Sequence, residues 1–177
     1  MYFMGCKFAI KIAFRQGKQM ELEIPPAARE LEARRIPYRI FRHTQPAHSI
    51  SEAAAQRGQR LEQVVRSIVF RLEQGEYVMV LINGDHQISW KALRHYLARS
   101  RLTMASAEEV LQMTGYRIGA VSPFGLPQPM RILVDQDVLE LDEISLGSGQ
   151  HGVAIVMKTK ELQQALEPVE AGEFKAK

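Results

Sequence analysis

The sequence predicts an α+β fold in a single domain, with a mixed, mostly antiparallel sheet or half-barrel wrapped by helices. The length of 177 residues suits one domain with a proper hydrophobic core. Several strand-like segments are adjacent along the chain, and helix-like segments with capping residues separate the groups. No repeat, linker or low-complexity block divides the chain, so one sheet with helices packed outside it is expected.

The first half of the domain shows helix and strand patterns in alternation. Prolines flank the helical segment AARELEARR (27–35), and the alternating YRIFRH (38–43) predicts a strand. Ser49 or Ser51 is expected to cap a short helix that runs through SEAAAQRG (51–58) and ends at Gly58. The apolar segments VVRSIVFRL (64–72) and GEYVMVLING (75–84) are separated by a short turn and predict an antiparallel hairpin.

The second half begins with two capped helices and continues with strands. A serine precedes WKALRHYLARS (90–100), and a capping box of serine and glutamate begins AEEVLQMTG (107–115). Three apolar strands and one closing helix follow, at 131–135, 143–146, 153–157 and 158–167. The last two of these strands are joined by the glycine-rich loop GSGQHG (147–152).

The two ends of the chain are predicted to lie outside the domain. Residues 1–19 carry four cations and no acid, whereas the whole chain has a net charge of +3, so the remainder carries −1. We interpret 1–19 as an N-terminal arm or an upstream start, because it lacks the continuous apolar region of a targeting segment. The domain is predicted at 20–170, with a loose tail at 171–177.

Composition excludes several classes of protein. The single cysteine, Cys6, excludes a disulfide framework and a cysteine-based zinc site, and the five histidines have no HxxxH spacing. No metal site is therefore expected. No apolar run approaches the about 20 residues that a membrane span needs. We expect no membrane partner and a reducing, cytoplasmic setting. The near-neutral charge after residue 19 argues against tight non-specific nucleic-acid binding.

Two glycine-rich segments indicate unusual backbone. TGYRIGAVSPFGLP (114–127) contains three glycines, two prolines and a serine. An ordinary turn needs only about two to four such residues, so this path is typical of backbone that contacts a ligand. GSGQHG (147–152) matches G-x-G-x-x-G, but a strand follows it, which excludes a dinucleotide fingerprint. It predicts a hairpin loop or, alternatively, a backbone nest for an anion.

Two side chains stand out, but neither identifies a reaction. Arg66 lies within an apolar strand, and a buried guanidinium requires a partner or an open cleft. Alternatively, it lies on the polar side of the strand. His43 ends a strand and enters a proline-containing loop, where a histidine is more often solvated than catalytic. Because no Ser-His-Asp order, nucleophile elbow or Walker loop is present, the residues alone indicate no base or nucleophile.

TGYRIGAVSPFGL, the strand VVRSIVFRL and the loop GSGQHG, in this order and spacing, resemble the YbaK / prolyl-tRNA synthetase-associated editing domain family. The resemblance covers roughly residues 25–167. It implies a mixed sheet wrapped by helices, with a cleft formed by these three segments. It also implies trans-acting hydrolysis of the ester in a mischarged tRNA, with a tRNAPro-type substrate expected first. The implied partners are the acceptor end of an aminoacyl-tRNA and an aminoacyl-tRNA synthetase, with no DNA, metal or organic cofactor.

The resemblance also implies the site. The functional glycine of the family falls on Gly119, and Arg66 and Ala120 complete the implied catalytic set. Phe124 is expected to wall the pocket, and Pro123 to stiffen the turn. The full implied substrate-binding set is His43, Ser122, Pro123, Phe124, Gly147, Ser148, Gly149 and His151.

Two departures from the family pattern leave alternatives open. Arg66 stands where the family typically carries a lysine, and Ala154 stands where YbaK proteins carry an acid. Arginine stays protonated and cannot act as a base, although it can bind a phosphate or a carbonyl. The alternative to a deacylase is therefore a catalytically inactive editing-like module that binds aminoacyl-tRNA, a small nucleotide or an anion. A protein-binding accessory domain is a weaker third hypothesis.

Overall fold

The computed structural model describes residues 23–176 of the chain. The predicted arm at 1–19 and the predicted domain start at residue 20 lie outside the described residues. The helices within this range are Pro26–Ala33 (α1), Ile50–Gln56 (α2), Trp90–Leu97 (α3), Ala107–Thr114 (α4), Gln136–Leu139 (α5) and Thr159–Ala165 (α6). The strands are Arg39–Arg42 (β1), Val65–Leu72 (β2), Tyr77–Asn83 (β3), Leu102–Met104 (β4), Arg131–Asp135 (β5), Glu143–Gly147 (β6), Val153–Lys158 (β7) and Glu170–Gly172 (β8).

The strands form two sheets that lie against each other. The smaller sheet has the order β1-β7-β6 and is antiparallel throughout. The larger sheet has the order β4-β2-β3-β5-β8, with parallel pairs at β3–β5 and β5–β8. A parallel bridge between Val64 and Ser145 joins the sheets where β2 begins. The prediction of a mixed, mostly antiparallel α+β domain is confirmed, and the division into two bridged sheets refines it.

The β2–β3 hairpin separates two hydrophobic cores because its side chains alternate between faces. Val65, Val69 and Leu81 belong to the main core, which the smaller sheet, α1 and the glycine loop (residues 114–127) complete. Phe70 and Ile82 point to the opposite face, where a second core includes the buried leucines of α3. Both faces of this hairpin are therefore buried, which explains its almost continuous apolar sequence.

Local signals in the sequence set the helix starts. The hydroxyl of Ser49 accepts a hydrogen bond from the Glu52 N–H at 3.1 Å and begins α2. Ser106 and Glu109 form the predicted capping box of α4, with bonds of 3.2 and 2.8 Å. Gly115 ends α4 with φ of +73°, and the chain passes from there into the glycine loop.

The prediction of a loose tail at 171–177 is wrong for the part of the tail that the structure describes. Strand β8 pairs in parallel with β5, and Phe174 is fully buried in the second core. Its ring meets Tyr96 edge-on at 5.1 Å, and its N–H donates to Asp135 Oδ2 at 2.7 Å. The tail has no apolar periodicity because a single aromatic side chain anchors it, so the sequence pattern gave no sign of this packing.

Candidate functional site

A cleft of about 920 Å³ lies beside the bridge between the two sheets. Its size is in the range of small-molecule and cofactor sites. The walls come from the loop before α2, from α2 itself and from the start of β2. The glycine loop and the β6–β7 hairpin, with its loop at residues 147–152, close the other side. The three sequence segments that suggested a site therefore meet at one cleft.

The glycine loop folds around the phenol of Tyr116. This hydroxyl donates to the carbonyls of Phe124 and Gly125 at 2.7 and 2.8 Å. Burial, with the Glu30 carboxylate as a second cause, raises the pKa of Tyr116 to about 12, so the phenol remains a donor. The loop glycines have left-handed backbone, which includes φ of +91° at Gly119. The glycine content thus reflects a path that other residues would adopt only with strain.

The hairpin loop fixes the glycine loop through backbone contact. A Cβ on Gly147 would lie 2.1 Å from the Val121 carbonyl oxygen, so no side chain fits there. The Gly149 N–H donates to the Ala120 carbonyl at 2.8 Å. A Cβ on Gly149 would lie 2.5 Å from the Tyr116 ring. Gly147 and Gly149 therefore allow the close approach of the two loops.

Gly119 lies exposed on the rim of the cleft. Among residues 23–176, its N–H has no hydrogen-bond partner, whereas the next N–H, of Ala120, is used in a turn to the Arg117 carbonyl at 3.0 Å. A Cβ on Gly119 would lie 3.3 Å from Cε1 of His151, so the exposed imidazole of His151 stands beside this backbone. The rim thus presents one free backbone donor next to one imidazole.

Arg66 lines the cleft from β2 and is partly desolvated. One terminal nitrogen of its guanidinium donates to the His86 carbonyl, and its Nε is buried without a partner among the described residues. Burial lowers the pKa of Arg66, and the nearby Asp85 opposes this effect. Arg66 therefore lies at the cleft, and the partner of its guanidinium is a backbone carbonyl.

His43 is held in one tautomer by its neighbours. Its Nε2 lies 2.9 Å from a terminal nitrogen of Arg57, and its Nδ1 lies 2.7 Å from the Gln56 side-chain oxygen. Because a guanidinium only donates, Nε2 accepts and Nδ1 carries the proton. Burial lowers the pKa of Arg57. Both ring nitrogens of His43 are therefore occupied by the protein.

A family model for the aminoacyl-tRNA editing domain matches residues 44–165, well over half of the chain. The chain belongs to the aminoacyl-tRNA editing domain family. The predicted resemblance is thereby confirmed. The editing domain is 36% identical over 91 residues to the proline–tRNA ligase of Kosmotoga olearia and 28% identical over 102 residues to that of Pelobacter propionicus. These matches cover 51% and 58% of this chain but only 16% and 18% of the ligases, so the chain spans less than a fifth of their length.

Solved structures share the fold of the editing domain. A crystal structure described as a candidate trans-editing enzyme for prolyl tRNA synthetase has a TM-score of 0.78 and 26% identity, covering 86% of this chain and 96% of that one. A hypothetical protein has a TM-score of 0.79 at 23% identity, covering 85% and 99%. The second likeness concerns the fold alone.

The structure separates the predicted site residues of the editing domain into two groups. The cleft is lined by Arg66, Gly119, His43, Gly147 and His151. The others lie behind its wall, and none is among the lining residues: Ala120, Ser122, Pro123, Phe124, Ser148 and Gly149.

Phe124 is the clearest correction within the second group. Its side chain is fully buried in the main core, so the expectation that it walls the pocket is wrong. The hydroxyls of Ser122 and Ser148 are used for local backbone contacts: Ser122 accepts from the Phe124 N–H at 3.3 Å, and Ser148 donates to the Val153 carbonyl at 2.9 Å. This group therefore shapes the loop rather than the surface of the cleft.

Sequence reasoning missed part of the cleft wall. The loop before α2 lines the cleft, as do the serines of two apolar strands, Ser67 and Ser145. The serine between isoleucine and leucine in EISL gave no signal in the sequence, because only its burial and its lack of a partner in the structure set it apart. Within the described chain, no three His, Cys, Asp or Glu side chains come together to hold a metal ion. No described helix has the length and apolar character that crossing a bilayer requires.

Proposed function

We propose that this chain is a trans-acting aminoacyl-tRNA deacylase that cleaves the ester of a mischarged, tRNAPro-type substrate. The observation that carries the proposal is the unpaired Gly119 N–H at the rim of the cleft. Water adds to the ester carbonyl, the bond to the terminal ribose oxygen breaks, and that oxygen takes the proton that water loses. The products are a free amino acid and an intact tRNA.

Gly119 supplies the stabilisation that this reaction needs most. The carbonyl oxygen becomes an oxyanion in the tetrahedral intermediate, and a fixed N–H aimed at it stabilises the developing charge. The left-handed backbone at Gly119 lines the cleft, and the contacts of Ala120 and Gly147 fix the loop around it. Preorganisation of this kind is effective because the donor does not have to reorient during the reaction.

Arg66 is the cation that binds the substrate in this proposal. Its unpartnered Nε and its remaining N–H groups bind a substrate phosphate or carbonyl, while the His86 carbonyl holds one end of the guanidinium. A base is not assigned to the protein, because Arg66 stays protonated and the Nε2 of His43 is occupied by Arg57. In this proposal a free hydroxyl of the terminal ribose helps activate the water. His151 is assigned to substrate binding.

The choice of tRNA and partners is supported by the relatives. The curated matches are proline–tRNA ligases, and a structural neighbour is described as a candidate trans-editing enzyme for prolyl tRNA synthetase. We therefore propose the acceptor end of mischarged tRNAPro as the substrate and a synthetase as the companion protein, in the cytoplasmic tRNA pool. The alternative is an editing-like module that binds without turnover, which Arg66 in the lysine position and Ala154 in the acid position favour.

Hydrolysis of defined mischarged tRNAs tests the proposal. Alanyl-, cysteinyl- and seryl-tRNAPro are incubated with the purified chain, and ester loss is compared with the protein-free rate. We expect at least one ester to be lost much faster than it is spontaneously. If every ester decays at its spontaneous rate, the deacylase proposal is overturned.

The charge of Arg66 is tested by two substitutions. Because hydrogen bonds to charged groups contribute about 1.5–3 kcal/mol, Arg66→Ala should lower kcat/KM by about 10-fold to 150-fold. Arg66→Lys restores the charge and should recover part of this loss. Arg101→Ala, an exposed arginine outside the cleft, is the control and should leave the rate unchanged. Equal rates for Arg66→Ala and the wild type would remove Arg66 from the mechanism.

A further inference from the structure

Two serine hydroxyls in the cleft lack hydrogen-bond partners. The Oγ atoms of Ser67 and Ser145 are both inaccessible to solvent and unpaired among the described residues, and both residues line the cleft. Ser145 as a whole is 0% exposed. Buried polar groups in native proteins are nearly always paired, so an orphaned hydroxyl requires an explanation such as a ligand.

Strand alternation shows where the Ser145 side chain points. Its neighbours Ile144 and Leu146 belong to the main core, so Ser145 points to the opposite face of β6. Gly147 lies two residues further along β6 and is on that same face. Its pairing partner on β7, Ala154, is on this face too, and both residues line the cleft. Ser145 is therefore aimed at the floor of the cleft, below this small-residue pair.

The depth of Ser145 indicates which part of a substrate reaches it. Gly119 and His151 are exposed at the rim, whereas Ser145 is fully buried. If the ester lies at Gly119, the tRNA stays outside and the amino acid enters. The α-amine is attached to the carbon next to the ester carbonyl, so the side chain is the group that extends furthest inward.

The surroundings of Ser145 indicate the chemistry of that side chain. The lining beside it includes Val64, which is bridged to Ser145, and Ala154, and both are buried apolar residues. A charged side chain would lose its hydration there without a charged partner. A purely apolar side chain would leave the Ser145 hydroxyl unpaired. A small side chain with its own hydroxyl satisfies both conditions, because a hydroxyl both donates and accepts.

Ser67 pairs with Leu81 across the β2–β3 hairpin, so its side chain faces the main core rather than Ser145. We propose that Ser145 forms a hydrogen-bonding subsite that selects esters of hydroxyl-bearing amino acids. The inference rests on the proposed deacylase function and names the substrate class of the same cleft. A site built to bond a substrate hydroxyl discriminates against an analogue that lacks it far better than an apolar pocket discriminates by size. Seryl-tRNA is therefore the preferred substrate over alanyl-tRNA.

The test compares kcat/KM for seryl- and alanyl-tRNAPro in the wild type and in Ser145→Ala. We expect the wild type to prefer the seryl ester by at least about 10-fold, since one lost hydrogen bond corresponds to about 5-fold to 150-fold. Ser145→Ala should lose this preference by slowing seryl hydrolysis while alanyl hydrolysis stays within about twofold.

Thr159→Val is the matched control. Thr159 also carries a buried, unpaired hydroxyl, but it begins α6 outside the lining of the cleft. This variant should leave both rates unchanged. An alanyl rate equal to or above the seryl rate in the wild type overturns the subsite while deacylation stands. Equal slowing of both esters by Ser145→Ala also overturns it, because that pattern marks a structural role. If the wild type hydrolyses none of the seryl, alanyl and cysteinyl esters of tRNAPro, the proposed function itself is overturned.

Discussion

Replacing Gly119 with alanine should lower the rate of ester hydrolysis by about 10²–10³, the loss that removal of one oxyanion donor produces. A Cβ at this position would lie 3.3 Å from the His151 ring, and the backbone has φ of +91°, which alanine adopts only with strain. We expect relief of the strain at this φ to shift the backbone, and the N–H with it. Single-turnover deacylation of the preferred mischarged tRNA measures the effect on the chemical step.

Gly75→Ala separates this effect from backbone strain in general. Gly75 has φ of +79°, and a Cβ there would meet nothing within 4 Å. It lies in the turn of the β2–β3 hairpin, outside the lining of the cleft. We expect this variant to lose about 1 kcal/mol of stability, as strain at a left-handed position predicts, and to keep full activity. If Gly119→Ala also kept full activity, its N–H would have no role in the reaction.

Phe174→Ala should lower the free energy of unfolding by about 3–5 kcal/mol, as expected for deletion of a buried aromatic ring. The side chain is fully buried against Tyr96 and the second core, so the truncation leaves a cavity under β8. Urea unfolding, followed by far-ultraviolet circular dichroism, measures the change. This result would establish that the C-terminal segment is part of the folding unit.

The neighbouring substitution Glu173→Ala provides the control for the tail. Glu173 is exposed, so its truncation should change stability by less than about 0.5 kcal/mol. A Phe174→Ala variant that unfolds at the same urea concentration as the wild type would show that the tail does not stabilise the domain.

Local chemistry predicted the elements that depend on neighbouring residues. The capping box of Ser106 and Glu109 forms as predicted, and Ser49, one of the two serines expected as a cap, begins α2. Both are contacts over three residues. The β2–β3 hairpin likewise follows from two apolar segments and a short turn. These features were predictable because their partners are close in sequence.

Features that depend on distant partners were not predictable in this way. Strand β8 exists because β5 offers an edge and because Phe174 fills the second core, and neither is visible in the tail. Phe124 follows Gly119 closely in sequence, yet the loop turns it into the main core. Gly147 fixes that path by backbone contact with Val121, which only the folded structure reveals.

The sequence predicted residues that line the cleft, but it did not predict the buried residue at its floor. Arg66 and Gly119 were expected in one cleft from the family pattern, and both line it. The floor was missed because a single serine in an apolar strand, Ser145, gains its meaning only from burial and the absence of a partner. Burial and pairing are properties of the tertiary structure, so no spacing rule could supply them.

Single-turnover hydrolysis of mischarged tRNAPro with the protein in excess tests the central claim most directly. Binding is followed in parallel by a shift in electrophoretic mobility, so that the chemical step is separated from recognition. The account predicts that the wild type hydrolyses the bound ester far above the spontaneous rate. It also predicts that Gly119→Ala still binds the tRNA but hydrolyses the ester about 10²–10³ more slowly. Binding by the wild type without any acceleration of ester loss would contradict it and would identify a binding module.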